Sequence, residues 1–305
     1  MSTSTDDGFA YYAKHGIISD PGSFSGLFKN LPSDISQLCR IIQGLLLHVF
    51  WAERYGEKLS EERIADTGIR HVEQMLAKLQ KIEGGPIGES RQLNNRLVGN
   101  CRTFSLLLAA MLQNQGKPAR ARCGFGRYFK PGWYEDHWIC EYWSGEQSRW
   151  IMIDAQLDDF QCQELDVGFD PLDVPRDQFI VGGKAWLWCR NGEADPDNFG
   201  IFDMRGLWFV RGNLIRDIAA LNKVELLPWD GWGLIDCEDE NISHEELTLL
   251  DNIASMTSDM VDFSAVRDAY ETNEGLVVPP IIKSYTKSGT LAIDLSTEEV
   301  VDLTG

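Results

Sequence analysis

The chain has 305 residues, 43% of them apolar and 25% charged, with a formal net charge of −19 at pH 7. That length can bury one large core or two smaller ones, while a surface this acidic repels phosphate backbones and anionic lipid, which excludes nucleic acid and membranes as expected partners. Seven cysteines stand singly with no CxxC pair, so neither a structural zinc site nor a disulfide framework is indicated.

Residues 1–31, rich in Gly and Ser, read as an N-terminal arm. The opening MSTSTDDGFA has neither a basic nor an apolar leader segment. With no apolar run long enough to span a membrane, the expectation is a cytoplasmic protein. A helix is predicted from Ser33 to Tyr55, with Ile35, Leu38, Ile42, Leu45, Leu46, Val49 and Phe50 on one broad face and Gly56 as its stop. A second helix is predicted from Ser60, carried by Ile64, Ile69, Val72, Leu76 and Leu79 and ended by Gly84-Gly85-Pro86. Two helices joined by a short connection suggest an antiparallel pair.

The stretch 91–160 is the most informative. Arg102–Gln115 reads as a helix with Phe104, Leu107, Leu108, Met111 and Leu112 sharing a face, terminated by Gly116 and Pro118. Strand-like runs follow at Ala119–Tyr128, His137–Trp143 and Arg149–Asp154, separated by turn signals at Lys130-Pro131-Gly132 and Ser144-Gly145. Beyond residue 160 the pattern fades. Phe179–Cys189 and Leu207–Val210 read as strands or short helical pieces, Leu214–Leu221 as helical, Glu245–Asp262 as a helix, and the last thirty residues as a final strand or tail. The domain reading is an arm (1–31), a catalytic domain (32–235, motif core 91–160) and a C-terminal helical extension or tail (236–305).

The candidate chemistry lies in Cys101, His137 and Asp154. A thiol is a strong nucleophile as its thiolate, which a helix N-terminus and a neighbouring imidazolium both favour. Cys101 opens the predicted helix, after Gly99-Asn100. His137 sits in mid-strand, where a general base can be held rigidly. Asp154 ends the next strand, placed to accept a ring N–H of His137 and fix its tautomer. His137 and Asp154 lie at nearly equal distances from the turn Ser144–Ser148, as a hairpin pairing requires. Glu135 and Asp136 flank the base and are expected to raise its pKa. Taken singly, each of the three is more often a structural residue. Their order and supporting elements make the case. A metal site is not expected, because a structural site needs four ligands and Cys140 faces away from His137 by strand parity. Nothing calls for a cofactor.

The run Arg96-Leu97-Val98-Gly99-Asn100-Cys101-Arg102-Thr103-Phe104-Ser105 resembles the nucleophile motif of the transglutaminase-like superfamily, Gly-x-Cys-x-x-(Phe/Tyr)-(Ala/Ser). Glu135-Asp136-His137-Trp138 resembles its His motif and Trp150-Ile151-Met152-Ile153-Asp154-Ala155 its Asp motif. All three stand in the family order, most like bacterial-type transglutaminase-like domain proteins. The resemblance covers about 95–160. It implies an α+β fold with a papain-like core, the nucleophile helix packed on an antiparallel sheet, and extra N-terminal helices. It implies a thioester acyl-enzyme on Cys101 and a peptide-like or amine-bearing small-molecule substrate, with transferase and hydrolase both open. The oxyanion would be held by the Cys101 N–H and one more donor, for which Asn95, Asn94 and Gln92 are the candidates. Trp133, Tyr134 and Trp138 are candidates for a substrate cleft, core packing being the other reading. No EF-hand loop is present, so calcium-activated crosslinking is not supported. The alternative is a non-catalytic binding or scaffold module that keeps the fold.

Overall fold

A computed structural model describes residues 3–287 and 289–301. The first two residues of the predicted arm and the last four of the predicted tail lie outside them. The fold is α+β, and the chain divides into two compact units: residues 1–122, 128–130 and 137–179, and residues 123–127, 131–136 and 180–305.

The first unit opens with α1 (Thr3–Tyr12). Phe9 packs tilted against Trp143 at 4.4 Å and Tyr12 meets Trp150 edge-on at 5.7 Å, so aromatic contacts hold this helix in place. Helix α2 (Ile35–Leu45) is capped by Asp34, which accepts the Gln37 N–H. It ends ten residues before the predicted Tyr55. The next three residues form β1 (Leu46–His48), and Ala52–Tyr55 is a 3₁₀ turn. The run Leu45–Phe50 is apolar enough for either structure, and a partner strand decided between them. The second predicted helix is also divided, into α3 (Glu61–Ala65, capped by Ser60) and α4 (Val72–Ile82), with a 3₁₀ turn ending at Gly68 between them. Strand β2 (Leu97–Gly99) pairs in parallel with β1, His48 opposite Gly99.

Helix α5 (Cys101–Asn114) follows at once and is buried on every face from Cys101 to Gln113, packing on α2 and α4. Strands β3 (Ala119–Gly126), β4 (Tyr134–Ser144) and β5 (Arg149–Ile153) match the three sequence-predicted strands. Within the first unit their segments lie in the order β3-β4-β5. Strands β4 and β5 are antiparallel, from Cys140 opposite Ile153 to Ser144 opposite Arg149. Ser148 takes φ 52° to close the turn. On β4, Glu141 is fully buried and accepts from three arginines: Arg120 Nη2 at 2.7 Å, Arg122 Nη1 at 3.1 Å and Arg176 Nη2 at 2.9 Å. Arg120 also lies 3.8 Å over the Trp150 ring. Helix α6 (Asp159–Glu164) is capped by Asp158.

In the second unit, β6 (Phe179–Val181) leads into α7 (Gly182–Arg190). Strands β7 (Phe199–Ile201) and β8 (Met204–Arg205) form a hairpin, and Tyr134 and Glu135 at the start of β4 pair in parallel with Phe199 and Gly200. The two fragments read at 207–210 and 214–221 are one helix, α8 (Leu207–Leu221), buried from Phe209 onward. Strand β9 (Asp230–Gly231) precedes α9 (His244–Thr257) and α10 (Phe263–Thr272). Strands β10 (Ile281–Thr286), β11 (Gly289–Asp294) and β12 (Val300–Val301) complete a four-stranded sheet in the order β12-β11-β10-β9. Helix α7 packs on α8 and α9. The close approaches here need glycine: a Cβ on Gly124 would fall 2.3 Å from the Ile180 carbonyl oxygen, and one on Gly182 would fall 2.7 Å from that of Asn213. Among the described residues, no helix is long and apolar enough to cross a membrane.

Candidate active site

Cys101, His137 and Asp154 all belong to the first unit. Cys101 is the first residue of α5 and is 8% exposed. Its helix start is tightly specified. The Asn100 side chain accepts the Thr103 N–H at 3.2 Å and the Asn100 N–H donates to the Thr103 hydroxyl at 3.2 Å, a reciprocal capping box. Gly99 serves this cap by its size: a Cβ there would lie 2.8 Å from the Thr103 side chain, and its φ is not positive. The helix N-terminus therefore presents its partial positive charge at the thiol.

On β4, His137 is buried, 2% exposed, and its Nε2 donates to Asp154 Oδ2 at 2.8 Å. The β4–β5 register, extended one step past Ile153, sets Asp154 across from Ile139. It is thus a diagonal neighbour of His137 on the same sheet face. The remaining ring nitrogen, Nδ1, is left for Cys101, which acts on the ring both as a charge and as a hydrogen-bond partner. Burial disfavours charge on His137. Asp154 and Cys101 outweigh it and raise its pKa to about 10. Burial also works against the Asp154 charge, yet His137, the Tyr128 hydroxyl and the Gln156 N–H hold its carboxyl below the usual range. The expected contribution of Glu135 and Asp136 gives way to these. Glu135 takes the Trp133 indole N–H, and Asp136 accepts from Asn213.

Two neighbours carried no signal in the sequence. The Tyr128 hydroxyl donates to Asp154 Oδ2 at 2.6 Å, and its ring meets His137 edge-on at 5.9 Å. Phe129 meets the imidazole edge-on at 4.8 Å and packs against Tyr128 at 4.6 Å, so the two rings cover His137 together. The predicted strand runs to Tyr128, whereas β3 ends at Gly126, and nothing local in the sequence ties either ring to His137.

The remaining candidates are not brought to the thiol. Gln92 is exposed, and the Asn95 amide donates to Glu83 Oε2 at 3.1 Å. Asn94 is also exposed. Trp138 is fully buried on the sheet face opposite His137, as strand alternation requires, so it packs in the core and does not line a cleft. Trp133 and Tyr134 fall in the second unit, where Tyr134 stacks on Phe199 at 4.2 Å.

Residues 62–155 match the family model of the transglutaminase-like superfamily, a span that takes in all three residues. This segment is a transglutaminase-like domain. A solved structure of a candidate cysteine protease from Cytophaga hutchinsonii is similar at 14% identity with a TM-score of 0.33, over 56% of this chain and 44% of that one. The chain thus spans less than half of that protein, and the likeness is too loose to bear on the argument. No curated protein matches the chain.

Proposed function

We propose that the protein is a cysteine-dependent acyl-transfer enzyme acting on amide or related acyl substrates. Cys101 is the nucleophile, His137 the proton carrier, and Asp154 the group that orients it. The observation that carries the reading is the bond from His137 Nε2 to Asp154 Oδ2, which leaves Nδ1 for a thiol at a helix N-terminus. The transglutaminase-like match across residues 62–155 supports the same chemistry.

The Cys101 sulfur attacks the acyl carbon, and the leaving amine takes a proton from His137 Nδ1. The thioester then passes its acyl group to an amine or to water, with His137 removing the acceptor's proton. Tyr128 and Asp154 keep the imidazole from rotating during both proton transfers. The alternative, a scaffold that retains the fold without chemistry, is disfavoured by the preserved hydrogen-bonded pair beside the thiol.

Limiting iodoacetamide near pH 6, followed by mapping of adducts by mass spectrometry, tests the activated thiol. Cys101 is expected to react ahead of the other six cysteines, and equal labelling would refute the reading. Glutamine-containing peptides with a tagged amine then separate the two outcomes. Tag incorporation marks a transferase and a free acid product marks a hydrolase. Cys101→Ala abolishes either.

A further inference from the structure

A second histidine stands beside this site, and the reaction scheme above gives it no role. His48 ends β1, in register with Gly99 on the parallel strand that runs directly into Asn100 and Cys101. It is 7% exposed. Its ring packs 6.3 Å from Phe104, which lies one turn along α5 from Cys101, and 5.6 Å from Phe50. The Phe50 N–H donates to His48 Nδ1 at 3.3 Å. With Nδ1 occupied as an acceptor, the neutral ring carries its hydrogen on Nε2. That N–H has no hydrogen-bond acceptor among the described residues, although the side chain is more than nine-tenths buried. Nε2 is not among the fully buried polar atoms that lack a partner, so it belongs to the small exposed part of the ring, where a bound group can accept its hydrogen.

The protonation state suits an electrophile. Burial and the nearby His137 charge push the His48 pKa down to about 3 against the weaker pull of Asp154. The ring is therefore a neutral donor throughout the working pH range. It senses both His137 and Asp154, which places it within electrostatic reach of the reacting groups. The Cys101 backbone N–H at the first turn of α5 likewise has no acceptor among the described residues.

We propose that His48 donates, through Nε2, the second hydrogen bond to the oxyanion formed when Cys101 adds to an acyl carbonyl. This rests on the reading of Cys101 as a nucleophile. In the step, a C–S bond forms from the sulfur lone pair and the carbonyl π pair moves onto oxygen. The resulting anion accepts from Cys101 N–H and His48 Nε2–H. The pair then returns to re-form C=O as the C–N or C–O bond breaks, and the leaving group departs with its electron pair, taking its proton from His137. His48 neither gains nor loses a proton. It takes the place that the sequence reading offered to Asn95 and Gln92.

The test compares two reactions of the same thiol. Alkylation by iodoacetamide displaces iodide and develops no oxyanion, whereas acylation by p-nitrophenyl acetate passes through one. Both rates are measured on the full chain for the native protein, His48→Ala and His48→Gln, with Cys101→Ala subtracted as background. Loss of one oxyanion donor lowers such rates by about 100-fold. The expectation is that His48→Ala acylates about 100-fold more slowly while its Cys101 alkylation stays within about twofold. His48→Gln, which retains an N–H donor, is expected to recover at least about tenfold of the lost acylation rate. An unchanged acylation rate in His48→Ala overturns the assignment. So does an equal fall in both reactions, which marks His48 as a prop for the thiol or the fold. So does a His48→Gln as slow as the alanine variant. If Cys101 of the native protein alkylates no faster than the other cysteines, the acyl-transfer reading fails and the His48 assignment with it.

Discussion

Replacing Asp154 with Asn keeps the shape of the side chain and removes its charge. The His137 Nε2 to Asp154 Oδ2 separation is 2.8 Å, with both groups buried. At an effective dielectric of about 20, that pair is worth about 6 kcal/mol, or about 4 pKa units. The native His137 titrates at about 10, so the variant is expected to titrate near pH 6. The sign is definite. In the native protein the imidazolium persists until the pH passes about 10. In Asp154→Asn the ring is mostly neutral at pH 7, and an amide oxygen holds it less firmly. The same shift links to stability. A folded pKa of about 10, set against about 6.5 unfolded, means that His137 stabilises the fold fully below pH 6.5. That contribution fades as the pH climbs to 10. Long-range ¹H–¹⁵N correlation spectra of the five imidazoles, recorded from pH 4 to 11, read the midpoint directly. A His137 midpoint that stays above about 9 in Asp154→Asn would refute the claim that this carboxylate holds the charge on the ring.

Glu141→Ala leaves three guanidinium groups around a buried site with no anion, and a loss of about 3–5 kcal/mol in urea unfolding is expected. The arginines hold the Glu141 pKa below the ordinary carboxylate range against burial, so its contribution is present above the unfolded value of about 4.3 and is lost as the pH falls below it. Native stability that does not change between pH 5 and pH 2 would contradict this. Gly124→Ala drives a Cβ to 2.3 Å from a backbone oxygen of β6, and a thermal midpoint at least about 4 °C lower is expected in calorimetry.

The three residues assigned to the proposed chemistry were legible because local signals pointed the same way. A helix start at Cys101 and a strand–turn–strand pattern around His137 and Asp154 depend on neighbours in sequence. His48 was hidden for the opposite reason. Its segment Leu46–His48 is apolar and follows a helix without a break, so periodicity extends the helix through it. Only the presence of Leu97–Gly99 as a parallel partner turns it into a strand. Tyr128 was missed in a similar way, since its role is fixed by Asp154 on another strand. The break after Gly68 was visible as a glycine inside a periodic run, yet α3 and α4 separated more fully than that one residue implied. The capping box at Asn100 and Thr103 was in plain sight as a side-chain pair three residues apart. Helix α8 was read only in pieces, because burial on several faces removes the amphipathic signal, whereas α9 was read as the single helix Glu245–Asp262 and α10 beyond it was not read.

The pairing of β1 with β2 also bears on how the protein comes to be reactive. Leu46 and Leu97 meet only when the chain between them has closed on itself. For a loop of about fifty residues the entropy of closure is about 3.5 kcal/mol plus a constant. Contacts that distant form late relative to local helix turns. On a ribosome, then, Cys101 would emerge and even start its helix as an ordinary thiol. It would become an armed one only once β2 has found β1 and the hairpin has delivered His137. On the proposed role of Cys101, the fold sets when the thiol is activated as well as where it sits.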